Sequence, residues 1–150
     1  MNTVYIAGPF SKPRTRKALQ KMIDIAAKRY GQNELYVPME YKVPGDFQKL
    51  DGTWNLANHE WAKAVYESDV KHLDTANIVI ALYVGHYCSS GTVWEIGYAK
   101  GKGIPVVAYI PEWVKGDVSL MVMNGFEKYL EEDGNIYPMS EEFLTKFNQK

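Results

Sequence analysis

Ile78-Val79-Ile80-Ala81-Leu82-Tyr83-Val84 and Pro105-Val106-Val107-Ala108-Tyr109-Ile110 are nearly unbroken apolar runs, and they restrict the fold more than any other feature of the chain. A strand with one face in water alternates apolar and polar residues, whereas a strand covered on both faces does not. Thr3-Val4-Tyr5-Ile6-Ala7, closed by Gly8-Pro9, is a third run of this kind. Such strands belong to a parallel sheet with helices on both sides.

The segments between the runs carry the matching helical signals. From Thr15 to Tyr30, Leu19, Met22, Ile23, Ala26, Ala27 and Tyr30 recur at intervals of three and four, and Gly31 stops the pattern. Leu35-Tyr36-Val37 before Pro38 reads as a short strand. Met39 to Thr53, with Pro44, Gly45 and Gly52, reads as a loop of about 15 residues, a length often found in binding lids. A helix from about Asn55 to Leu73 follows, then a helix containing Glu95 that ends near Gly101-Lys102-Gly103. A short helix over Val118 to Met123, a weak strand over Lys128 to Leu130 and a last helix from Ser140 to Phe147 complete the order. This alternation predicts one domain over residues 1–150: a doubly wound, Rossmann- or flavodoxin-like three-layer α/β sandwich with a parallel sheet of about five strands. In such folds ligands sit beyond the carboxyl ends of the strands, so Gly8 to Lys12, Pro38 to Lys42 and His86 to Glu95 converge by topology.

Composition narrows the partners. The formal charge is -1 over 150 residues, which provides no field to hold polymeric nucleic acid or an anionic membrane. Cys88 is the single cysteine, so an intrachain disulfide and a cysteine-based zinc cluster are excluded, in keeping with a reducing cytoplasm. No stretch approaches the ~18 apolar residues of a membrane span. A soluble intracellular protein acting on small molecules is expected. The 11 tyrosines and 4 tryptophans suit flat ligands and subunit contacts.

Two carboxyls stand out. Glu95, in Ser89-Ser90-Gly91-Thr92-Val93-Trp94-Glu95-Ile96-Gly97, is placed in the first turn of its helix, where the helix dipole favours an anion. Thr92-x-x-Glu95 also matches a capping box, a purely structural use of the same residue. Asp69 interrupts the row Trp61, Val65, Asp69, Leu73, spaced by four; it either pairs, binds or stays protonated, or lies at the margin of the row in water. Two carboxyls in different environments are what N-glycoside cleavage uses, one attacking the anomeric carbon and one protonating the departing base. Tyr5 is either core or catalytic. Lys12, Arg14, Arg16 and Lys17 open the first helix against its dipole, as a solvated turn or an anion site. Gly8-Pro9-Phe10 lacks the spacing of a dinucleotide or P-loop fingerprint. His59, His72 and His86 show no metal-ligand spacing.

These residues resemble the nucleoside 2-deoxyribosyltransferase family. The resemblance is carried by Val4-Tyr5-Ile6-Ala7-Gly8-Pro9-Phe10, Ser68-Asp69-Val70, Ser90-Gly91-Thr92-Val93-Trp94-Glu95-Ile96-Gly97 and Ser119-Leu120-Met121. It implies that Glu95 is a nucleophile forming a 2-deoxyribosyl ester, that Asp69 manages the proton of the base, and that Tyr5 orients Glu95. Phe10 would wall the base, Met39, Glu40 and Lys42 would read it, and Gly8 and Gly91 would border the substrate. The resemblance also implies no cofactor, and homo-oligomers in which Ser119 to Met121 reaches a neighbour's site. Transferases of the family commonly carry Asp where this chain has Ser89, and Asn where it has Ser119. Related deoxynucleoside 5'-monophosphate N-hydrolases resemble it at both serines, which leave room for a phosphate that an Asp would repel. Those hydrolases usually place Arg where Ser11 stands, a role left here to Lys12 or Arg14. Base exchange between 2'-deoxynucleosides is therefore the first expectation, hydrolysis of a nucleoside 5'-monophosphate the second, and a non-catalytic nucleotide-binding module the third.

Overall fold

The computed structural model describes residues 3–38 and 59–148. The strands β1 (Val4–Ala7), β2 (Leu35–Tyr36), β3 (Ile78–Leu82), β4 (Val106–Tyr109), β5 (Lys128–Leu130) and β6 (Ile136–Pro138) alternate with α1 (Pro13–Tyr30), α2 (His59–Asp74), α3 (Ser90–Gly101), α4 (Leu120–Gly125) and α5 (Glu141–Thr145). Met39, Glu40, Lys42, the rest of the expected 39–53 loop and the expected start of the helix before His59 lie outside the described residues.

The strands form one sheet in the order β2-β1-β3-β4-β5-β6. Pairing is parallel from β2 through β5, while β6 runs antiparallel to β5. The expectation of about five parallel strands thus needs one addition, a sixth antiparallel edge strand. Ile136-Tyr137-Pro138 is short and mostly exposed, so it carries no alternation to read. It is formed by a tight turn in which Glu131 N–H donates to the Asn135 carbonyl and the Asn135 N–H donates to Asp133 Oδ1. Pro138 is tolerated because it lies on an edge.

Burial explains the apolar runs. Every residue of β1 and β4, and all of β3 after Ile78, is buried. Helix α1 covers the sheet with Leu19, Met22, Ile23 and Ala26, the spacing of one helical face. Pro13 occupies its first turn, and Gly31, at φ 96°, ends it by donating to the Ala27 carbonyl. The chain leaves β1 toward β2 in one direction and returns through α2 and α3 in the other. Right-handed crossovers then place α1 on one face and α2 with α3 on the opposite one. The reversal makes the gap between the carboxyl ends of β1 and β3 the switch point of the sheet, where ligands bind in such folds.

Two glycines allow close approaches at this end. A Cβ on Gly8 would meet Leu19 Cδ1 at 2.6 Å and Leu82 Cβ at 3.1 Å, so the missing side chain lets the end of β1 lie against α1 and β3. Gly85, just after β3, has φ 75° and faces the Asp117 carbonyl, which also accepts from the His86 N–H at 2.9 Å.

Gly85→Ala should therefore destabilise the fold by roughly 2 kcal/mol or more, from positive φ and backbone collision together, read as a lower midpoint in urea. An unchanged midpoint would mean that the 85–117 contact is not maintained in solution.

Candidate active site

A cavity of about 400 Å³ opens at the switch point. Ile6, Gly8 and Phe10 reach it from the end of β1, Val37 and Pro38 from beyond β2, Tyr66, Asp69 and Val70 from α2, and Ser89, Gly91, Thr92, Trp94 and Glu95 from the start of α3. Its walls are mainly apolar and aromatic, and its ionisable lining groups among the described residues are Tyr66, Asp69 and Glu95.

Glu95 is freed for this position by the way α3 begins. Ser89 is the N-cap, with extended backbone at φ -63° and ψ 146°, and its hydroxyl meets the Thr92 N–H at 3.4 Å and the Thr92 hydroxyl at 2.7 Å. Helix α3 starts at Ser90, so Thr92 is its third residue and Glu95 its sixth. The capping-box register does not occur, and Glu95 lies beyond the first turn, where the dipole is felt most. Its carboxylate turns instead toward the sheet and accepts a hydrogen bond from the Tyr5 hydroxyl. Tyr5 is fully buried in β1, so the contact joins the chain's first strand to its third described helix.

Burial dominates the electrostatics. It raises the Glu95 pKa from the usual 4.5 to about 7; the Tyr5 hydrogen bond lowers it and the nearby Asp69 charge raises it further. The expected stabilisation of the anion by the helix dipole is thus outweighed by desolvation. Tyr5 itself is pushed upward by burial and by the Glu95 charge, and stays a protonated donor. The Asp69 carboxyl is also raised by burial, against the opposing effects of the Tyr36 hydrogen bond and His72. Tyr36 donates to Asp69 Oδ1 at 3.0 Å.

The other candidates are distributed unevenly. Phe10, Gly8, Ser89 and Gly91 line the cavity with the two carboxyls. Lys12 and Arg14 do not: Lys12 is the N-cap of α1 without a side-chain cap bond, and the Arg14 guanidinium lies 3.8 Å over the Trp113 ring. Arg16 donates to the Phe10 carbonyl at 3.0 Å and so braces the β1–α1 turn. Ser119 caps α4 through its hydroxyl, its N–H donating to the Tyr83 hydroxyl at 2.8 Å, and Met121 is 87% exposed. Neither lines the cavity. Among the described residues no group of three or more His, Cys, Asp and Glu is placed to hold a metal ion.

Sequence reasoning missed Tyr36, Tyr66 and Trp94 as site residues. Tyr66 precedes Asp69 by three positions on the same helix face, a signal that was present. Trp94 and Tyr66 meet edge-on at 5.8 Å at the cavity rim, both partly exposed.

Comparison with known proteins identifies the family of the chain. A family model described as nucleoside 2-deoxyribosyltransferase matches residues 4–134. The chain is 27% identical over 114 residues to a nucleoside deoxyribosyltransferase of Lactobacillus johnsonii, covering 76% of this chain and 72% of the relative. It is 26% identical over 113 residues to one from Lactobacillus leichmannii, covering 73% and 71%. The solved structure of a 2-deoxyribosyltransferase from Bacillus psychrosaccharolyticus shares the fold with a TM-score of 0.70, at 22% identity and over 92% of this chain and 99% of that one.

The raised Glu95 pKa makes a prediction about stability. Between about pH 4.5 and 7 the folded protein holds a proton on Glu95 that the unfolded chain has released, so this group's contribution falls as pH rises through that window. Glu95→Gln should melt above the parent at pH 8, by an amount corresponding to at most about 3 kcal/mol, and the gap should close toward pH 4.5. A pH-independent difference would show that the carboxyl is solvated.

Proposed function

Because the chain belongs to the nucleoside 2-deoxyribosyltransferase family, we propose that it transfers 2-deoxyribose between nucleobases through an ester on Glu95. The observation that carries this reading is the pairing of two carboxyls in one cavity, Glu95 held by Tyr5 and Asp69 held by Tyr36. With one proton between the two carboxyls, Glu95 attacks the anomeric carbon as the anion while the bond to the base breaks, and Asp69 passes that proton to the departing base. A second base then attacks the same carbon, its proton passes to Asp69, and the Glu95 carboxylate is released. A carboxyl titrating about pH 7 supplies the anion for attack while remaining basic enough to form the bond. Phe10 and the apolar walls suit the faces of a base.

Ser89 at the cavity rim supports a second reading, hydrolysis of a nucleoside 5'-monophosphate, since a serine there does not repel phosphate. The lining favours the neutral nucleoside: among the described residues it includes no lysine or arginine, and a dianion beside Asp69 and Glu95 would be repelled. Leu120 and Met121, 77% and 87% exposed, support assembly in which this segment meets another copy.

Incubation with a 2'-deoxynucleoside and a different free base should give the exchanged nucleoside, with little free sugar. Base release from a deoxynucleoside monophosphate without an acceptor would favour the hydrolase, and no turnover of either would remove both readings. Glu95→Ala should reduce exchange by a factor of roughly a thousand or more while the fold persists. Asp69→Asn should lose less with nucleosides whose bases leave without protonation; an equal loss for all would count against its proton role.

A further inference from the structure

Tyr36 forms no bond and carries no proton in the chemistry outlined above, yet it touches both halves of it. It is the last residue of β2 and is 8% exposed. Its hydroxyl donates to Asp69 Oδ1 at 3.0 Å. Its ring lies nearly flat on the His72 imidazole, with centroids 3.8 Å apart and planes at 8°, and the Tyr5 ring packs beside it at 5.3 Å and 37°. His72 is itself placed, its Nδ1 lying 2.7 Å from the Ser68 carbonyl oxygen. The phenol is therefore gripped by one ring from α2 and one from β1, and its oxygen is delivered to a fixed point. The Asp69 carboxyl accepts no other hydrogen bond among the described residues. An aspartate on a helix side retains two rotatable bonds, whereas proton transfer to a base needs a heavy-atom separation near 2.6–3.2 Å.

We propose that Tyr36 is a positioning residue, which through its hydroxyl holds the Asp69 carboxyl in the orientation that meets the nucleobase, and whose ring ties that orientation to Tyr5 and hence to Glu95. The inference rests on the proton role given to Asp69 under the proposed function. The neighbouring strand supplies this part: β2 aligns Tyr36 with Tyr5 across the parallel pair, so the two tyrosines that hold the two carboxyls are set by one register. The groups that face Asp69 electrostatically are His72 on its own helix and, through Tyr5 and Glu95, β1 and α3.

Tyr36→Phe keeps the stacked ring and deletes only the hydroxyl. Base exchange should lose roughly tenfold in kcat with KM changed by no more than about twofold, the signature of an interaction made in the transition state. The loss should shrink for a 7-methylated purine nucleoside, whose base departs without an added proton, and should vanish in an Asp69→Asn background. Independently of turnover, carboxyl-carbon NMR should show Asp69 titrating at higher pH in Tyr36→Phe, because a hydrogen bond favouring its anion is gone. A parent protein that exchanges no bases overturns the proposed function, while the NMR titration still decides the contact. A parent that exchanges bases, with Tyr36→Phe unaffected or its loss fully additive to Asp69→Asn, overturns the positioning role. So does an unshifted Asp69 titration.

Discussion

A carboxylate taken out of water needs a proton, a cation or a donor to hold it, and at Glu95 the donor is the hydroxyl of Tyr5. Much of the remaining architecture is arranged around that contact. The Tyr5 ring must stand inside the sheet, so β1 is buried on both faces, which requires α1 on one side and the α2–α3 layer on the other. Glu95 must start from a helix that enters at the end of β3, so Ser89 takes the cap and leaves Glu95 free. The close approach at Gly8 then allows β1 and α1 to meet without closing the cavity.

The same cavity produces opposing demands. Apolar walls favour a flat base but penalise charge, and Glu95 answers by titrating about neutrality. The two carboxyls are distinguished by their donors: Tyr5 from the central strand for one, Tyr36 from the neighbouring strand for the other. A pair of identical chemical groups thereby acquires different surroundings, the condition for the division into nucleophile and proton carrier proposed above.

Much of the fold is legible in the chain because β1, β3 and β4 are covered on both faces and therefore lack polar interruptions. The α1 face is equally plain, since Leu19, Met22, Ile23 and Ala26 lie on one side. What escapes a sequence reading is either short or non-local. Ile136-Tyr137-Pro138 is too brief and exposed to show a period. The start of α3 is ambiguous because Ser89 and Thr92 are both capping residues three positions apart, and only the backbone decides between them. Asp69 is visible as a break in an apolar row, but its donor is 33 positions away. Arg14 reads as part of a solvated turn or an anion site, and its placement over Trp113, distant in sequence, is a contact that no local pattern announces.

The sheet also ends in a particular way on each side. Strand β2 has only two residues, and β6 carries Pro138, which offers no N–H to a further strand. Among the described residues, both borders are thus poor templates for strand addition, the route by which open sheets stick to one another. In the assembly proposed above, copies would then meet through side chains, on helical faces and the exposed Leu120-Met121 step, so contacts between them could be tuned by substitution without disturbing the backbone ladder that sets the cavity.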